Sequence, residues 1–153
     1  MRKLFILAVV VAACSKQEAP PVDTTPAAPP PPPPPAALKP ADIAGTWNGT
    51  AKPEGSDSTE AFTVTSTSDS TGKISFPRTK VSTTFTTKFD ADSAISTSGA
   101  YKDPTMPKGT PNVMFRSVAR LKDGKMVGVA TIVLASKPDS VLGRSNWEAT
   151  KAP

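Results

Sequence analysis

The chain has 153 residues, with 18 Lys or Arg against 13 Asp or Glu, no histidine, and a formal charge of +5. Without histidine there is no Ser-His-Asp or Cys-His constellation and no His-ligated zinc site, so no catalytic residue, metal or cofactor is assigned. The charges are scattered, with no basic helix or lysine run of the kind that tracks nucleic acid, and nucleic acid is not expected as a partner.

Residues 1–13 read as an export signal. Met1-Arg2-Lys3 is a basic start, Leu4 to Val11 a continuous apolar run, and Ala12-Ala13 puts small residues ahead of Cys14, the only cysteine of the sequence. The apolar run falls well short of the about 20 residues that cross a bilayer, so the segment is expected to be removed. Val11-Ala12-Ala13-Cys14 resembles the lipobox of bacterial lipoproteins. That resemblance implies that Cys14 becomes the mature N-terminus and carries a thioether-linked diacylglycerol and an amide-linked acyl chain, which accounts for a lone thiol in an exported chain. At about 0.8 kcal/mol per buried methylene, two or three acyl chains hold a protein on a membrane where one would not. In the sorting rule of Gram-negative lipoproteins an aspartate after the cysteine favours the inner membrane; Ser15 here implies the outer membrane, facing the periplasm or the cell surface. An ordinary secretory signal followed by a free thiol is the alternative. Loss of Arg2 and Lys3 with the signal leaves 16 basic against 13 acidic residues, a charge of +3.

Residues 15–41 are dominated by Ala and Pro and include an unbroken proline run over 29–35. Proline fixes φ and offers no backbone donor, so this stretch predicts a polyproline II spacer with no core of its own. At about 3.1 Å per residue it reaches up to about 80 Å. Its other reading is a ligand for a groove-type recognition domain. The domain organisation is therefore a signal over 1–13, a lipidated cysteine and linker over 14–41, and one domain over 42–153.

That domain is long enough for a single core burying about two-thirds of its unfolded surface. Short runs rich in Thr, Val and aromatics, separated by Gly, Pro and Asp-Ser, predict strands over 44–52, 60–68, 73–76, 81–89, 94–100, 112–122, 125–135 and 143–151. The connections are mostly short, which favours an all-β fold: a small eight-stranded antiparallel meander closed into a barrel. Asp57-Ser58, Asp69-Ser70, Asp92-Ser93 and Asp139-Ser140 read as turns, where short oxygen-bearing side chains bond backbone amides. Asp90-Ala91-Asp92-Ser93 has two alternating carboxylates but lacks the glycine and terminal glutamate of a calcium loop, so it reads as a turn as well. Residues 102–111, with three prolines, form the longest connection and the first candidate for a gating loop.

Asp123-Gly124 is a type I′ turn signal that fixes the register of the hairpin around it. Lys122 faces Lys125, and stepping outward gives two faces. One, without charge, collects Phe115, Ser117 and Ala119 with Gly128, Ala130 and Ile132, and must be the interior. Its small residues either let the opposite wall come close or leave room for a ligand, which makes these six a candidate cavity lining. The other face presents Met114, Arg116, Val118 and Arg120 with Val127 and Val129, a candidate partner surface or the ordinary apolar share of a soluble exterior.

Gly45-Thr46-Trp47 on the first predicted strand, with Arg144 and Trp147 on the last, resembles the closure of lipocalin-like and avidin-like barrels. The resemblance implies that Trp47 plugs one end and that Arg144 packs over it. The domain is smaller than a lipocalin and lacks its terminal helix and Thr-Asp-Tyr motif, so no ligand is carried over. The leading expectation is a membrane-held binding or interaction module contacting an envelope protein, a wall polymer or a small apolar ligand. A lipocalin-like carrier and an inhibitor of an envelope hydrolase are its concrete versions. An enzyme using Glu60, Asp90, Asp92 or Glu148 as acid and base competes with it, although nothing places two of them together. A purely structural envelope component is the third class.

Overall fold

The computed structural model describes residues 37–67 and 69–153; Cys14, the export signal and the linker up to residue 36 lie outside them. Eight strands follow in chain order: β1 (Gly45–Pro53), β2 (Glu60–Ser66), β3 (Thr71–Phe76), β4 (Val81–Asp90), β5 (Ser93–Ser98), β6 (Val113–Lys122), β7 (Lys125–Leu134) and β8 (Lys137–Lys151), with a single helical turn, α1 (Pro40–Ile43), ahead of them. Each strand pairs antiparallel with its neighbours in sequence, and β1 closes on β8. The result is the meander barrel expected from the sequence, with no free sheet edge.

Alternation along the strands produces this closure. In β6, Val113, Phe115, Ser117 and Ala119 are buried, while Arg116, Val118 and Arg120 between them are exposed. Lys122 sits opposite Lys125, and Asp123 (φ 51°) and Gly124 (φ 76°) both adopt the left-handed conformation that a type I′ turn demands. The Asp90-Ala91-Asp92-Ser93 segment is a tight turn in which Asp90 pairs with Ser93 and Ala91 takes φ 50°. Between β2 and β3 the Asp69 carboxylate accepts hydrogen bonds from the hydroxyls of Thr67 and Thr71 and, at 3.1 Å, from the Thr71 amide. Those bonds hold its carboxyl below the usual value, Thr67 contributing most.

Most strand boundaries fall within two residues of expectation, and two boundaries depart further. β8 starts at Lys137, ahead of the predicted 143, so Asp139-Ser140 lies inside a strand and makes no turn. The cause is a slip in the β7–β8 ladder: Ile132 pairs with Gly143, Val133 with Val141 and Leu134 with Lys137, and the surplus β8 residues are absorbed there. Pro138 falls between the paired Lys137 and Val141 and so has no ladder bond to forfeit. The folded body also reaches back past residue 42. Leu38 is 8 % exposed and joins the core, and its amide donates to the Ala91 carbonyl at 2.9 Å.

The up-and-down order gives the barrel two distinct ends. α1 and the β2–β3, β4–β5 and β6–β7 turns share one end; the β1–β2, β3–β4, β5–β6 and β7–β8 connections share the other. Trp47 stops the first end. It is 4 % exposed, and its indole N–H donates to the Ile43 carbonyl at 2.8 Å, so burying the ring leaves no polar atom unmatched. Gly45 takes φ +113°, a conformation that a side chain would strain.

The cation over that ring is Lys151, whose Nζ lies 5.7 Å from the ring centroid, and not Arg144. Alternation decides this. Gly143, Ser145, Trp147 and Ala149 face inward, so Arg144 points outward and pairs with Thr131 towards the other end of the barrel. Trp147 takes no part in closure either; it belongs to the cavity wall.

Candidate ligand cavity

Three inward glycines lie directly across the ladder from aromatic residues: Gly49 opposite Phe62, Gly72 opposite Phe85, and Gly128 opposite Trp147. Each ring packs onto its glycine so closely that a methyl group there would collide with it; at Gly128 two indole carbons would lie 2.9 Å away. The rings are thereby laid against the wall instead of crossing the axis. They also touch one another: Phe62 meets Trp147 edge-on at 5.8 Å between centroids, and Phe85 meets Phe115 at 6.2 Å.

The space left along the axis is a cavity of about 310 Å³ running from Ile43 and Trp47 up to Tyr101 and Met106. That is about twice the roughly 150 Å³ in which an apolar cavity takes up one benzene. Of the six residues expected to line it, Phe115, Ser117, Ala119, Ala130 and Ile132 do so. Gly128 does not, because the Trp147 indole covers it. The indole N–H donates to the Ser117 hydroxyl at 3.0 Å, which satisfies both buried polar groups. The strip of small residues therefore serves both expected purposes: it seats a ring from the neighbouring strand and leaves open space beyond.

The far end of the cavity is finished by the β5–β6 connection, the long loop singled out in the sequence. Tyr101 exchanges two backbone hydrogen bonds with Val113, at 2.8 and 2.9 Å. The Asp103 carboxylate accepts from the Thr105 amide at 2.8 Å and its hydroxyl at 2.6 Å, and Lys102 bonds the Thr110 carbonyl. So pinned, the loop brings Tyr101, Asp103 and Met106 to the cavity border, where Glu60 joins them from the start of β2. The Tyr101 hydroxyl is pushed up to about 12 by burial, with smaller contributions from the Asp103 and Glu60 charges. One oxygen of Glu60, Oε1, is buried without a hydrogen-bond partner among the described residues. The Arg78 guanidinium stands 3.5 Å from it as an ion pair.

The four carboxylates considered for catalysis do not converge. Asp90 and Asp92 share the β4–β5 turn at the stopped end, Glu148 faces outward on β8, and Glu60 borders the cavity at the opposite end. Asp92 is occupied by Arg120 at 3.1 Å and by the Ser93 hydroxyl at 3.0 Å.

On the outside, Val118 (50 % exposed) sits opposite Val129 (44 %) and Ile95 (38 %), making an apolar row across β5, β6 and β7. Arg116 and Arg120 are exposed on either side, whereas Met114 and Val127 are half-buried. Ile95 was missed in the sequence because only the β5–β6 register brings it beside Val118. The aromatic wall was missed for a similar reason: a glycine facing a ring shows itself only once both strands are in register. Compared with known proteins, the chain matches no family model, no curated protein and no solved structure.

Proposed function

We propose that this chain is a membrane-tethered binder of a small apolar molecule carried inside its barrel. The supporting observation is the cavity of about 310 Å³ walled by Phe62, Phe85, Phe115 and Trp147, a size within the range of small-ligand sites. A molecule that hides about 200 Å² of apolar surface there gains roughly 5 kcal/mol before the cost of association. The tether is read from Val11-Ala12-Ala13-Cys14, and the proline-rich 15–41 supplies reach from an outer-membrane surface. A protein-contact role, such as inhibition of an envelope hydrolase, draws its support from the exposed row of Ile95, Val118 and Val129.

The full-length chain is expected to take up a neutral naphthyl probe with one-to-one stoichiometry. Ala130→Phe, which fills the cavity from an inward position, should weaken uptake at least tenfold with the circular dichroism unchanged. Equal uptake by the wild type and this variant would sink the carrier reading. Labelled fatty acid should enter the wild type and spare Cys14→Ser; equal labelling would remove the tether.

A further inference from the structure

We infer that the carried molecule is a flat, uncharged ring system of about two fused rings, stacked between two aromatic layers that face each other across the lumen. This deepens the carrier reading and rests on it.

All four rings of these layers come from even-numbered strands. Phe62 of β2 and Trp147 of β8 lie on either side of β1 and meet over it, their planes at 81°. The inward residue of β1 beneath them is Gly49, on which the Phe62 ring rests. Phe85 of β4 and Phe115 of β6 flank β5 in the same way, with planes at 52°. Beneath this second pair Ser98 is 3 % exposed, its hydroxyl accepting from the Phe115 amide at 2.9 Å. In a closed ring of eight strands β1 and β5 stand opposite each other, so the two layers face across the axis. Both border the same cavity.

An eight-stranded barrel is just wide enough to be filled by side chains or to hold one small ligand. With a layer of rings on each of two opposite walls, the gap that remains suits a thin body better than a round one. Its volume of about 310 Å³ is about twice that which takes up one benzene.

The chemistry of the walls agrees with their shape. A tilted pair offers the negative face of one ring and the positive edge of its neighbour, and an aromatic guest can answer both. A saturated guest of the same carbon count is thicker and has no such quadrupole. The polar groups at mid-lumen are already matched: the Trp147 N–H donates to Ser117, and the Thr87 and Ser96 hydroxyls share a hydrogen bond at 2.8 Å. Ser66 and Ser145, which also border the space, carry no charge. A charged group placed between the layers would lose its water and meet no opposite charge.

The test is competition against the neutral naphthyl probe on the full-length chain, using three neutral ten-carbon alcohols. 2-Naphthol is flat and aromatic, decahydro-2-naphthol is the same skeleton saturated and puckered, and 1-adamantanol is a globular cage. If apolar area alone decided, the saturated alcohol would compete at least as well as the aromatic one. 2-Naphthol should instead compete about tenfold better than decahydro-2-naphthol, with 1-adamantanol weaker still. Phe115→Leu, which keeps an apolar side chain and removes one ring, should cut that preference about threefold. Phe85→Leu, in the same layer, should act alike and guards against one variant failing to fold. Either saturated alcohol competing as well as 2-naphthol overturns the inference, as does a preference that neither variant reduces. If the wild type takes up no probe at all, the carrier reading falls and the inference goes with it; probe uptake without preference for the flat alcohol removes the inference alone.

Discussion

At the stopped end of the barrel, Trp47 is 4 % exposed, its N–H is matched by the Ile43 carbonyl, a lysine stands over its ring, and Arg120 and Asp92 close an ion pair nearby. At the other end, Glu60 Oε1 is buried without a hydrogen bond among the described residues, with the Arg78 guanidinium 3.5 Å away, and burial pushes the Tyr101 hydroxyl up to about 12. Both ends are built from the same alternating strands and differ in how their polar groups are finished. The difference teaches that closure of one end is completed by hydrogen bonds and a stacked cation within the fold, while the other end leaves a buried acceptor matched only by an ion pair.

Removing the stopper should break the contrast most strongly. Trp47→Ala empties a buried site and is expected to cost about 3–5 kcal/mol, read from urea unfolding midpoints. An equal loss on truncating Tyr101 would mean that the two ends carry the fold alike. The wall between them offers a finer test. At Gly49 an added methyl would meet the Glu148 carbonyl oxygen at 2.6 Å, backbone that cannot step aside, whereas at Gly72 its nearest neighbours are all ring atoms of Phe85. Gly49→Ala should therefore cost about 1–3 kcal/mol through overpacking. Gly72→Ala should cost less, because the ring can swing into the lumen, and should instead reduce probe uptake.

A last test concerns pH. An unfolded tyrosine loses its proton near 10, and Tyr101 in the folded barrel keeps it to about 12. Between those values the native state holds a proton that the unfolded state has released, so this contribution is present in full below pH 10 and is lost as pH rises through 12. Unfolding midpoints of the wild type should fall more steeply over that interval than those of Tyr101→Phe. Parallel slopes would mean that the phenol at the opening is freely solvated.

How far the sequence foretold this depends on the range of the contact involved. The register of the β6–β7 hairpin was legible pair by pair, because Asp123-Gly124 fixes it locally, and the uncharged face identified most of the interior, although Val133 on the outward alternation is buried and Leu121 on the inward one is exposed. The start of β8 was not, because Pro138 and Asp139-Ser140 carry strong turn chemistry and only the slip in the β7–β8 ladder makes room for them in a strand. The misplaced Arg144 was avoidable: Trp147 and Arg144 are an odd number of residues apart, so one strand cannot aim both at the lumen, whereas Lys151 has the same parity as Trp147. The cavity was glimpsed through its small residues. Its aromatic wall and its polar border stayed hidden because they join Gly72 to Phe85 and bring Glu60 and Tyr101 to one cavity across strands or loops whose pairing has no local signature.

The described body begins beside the floor, where Leu38 is fastened to Ala91, and its last strand finishes on the same side at Lys151, next to Trp47. Both ends of the described barrel therefore lie on its stopped side, so a force applied between Leu38 and Lys151 pulls on the floor and leaves the strand connections of the far side out of its path.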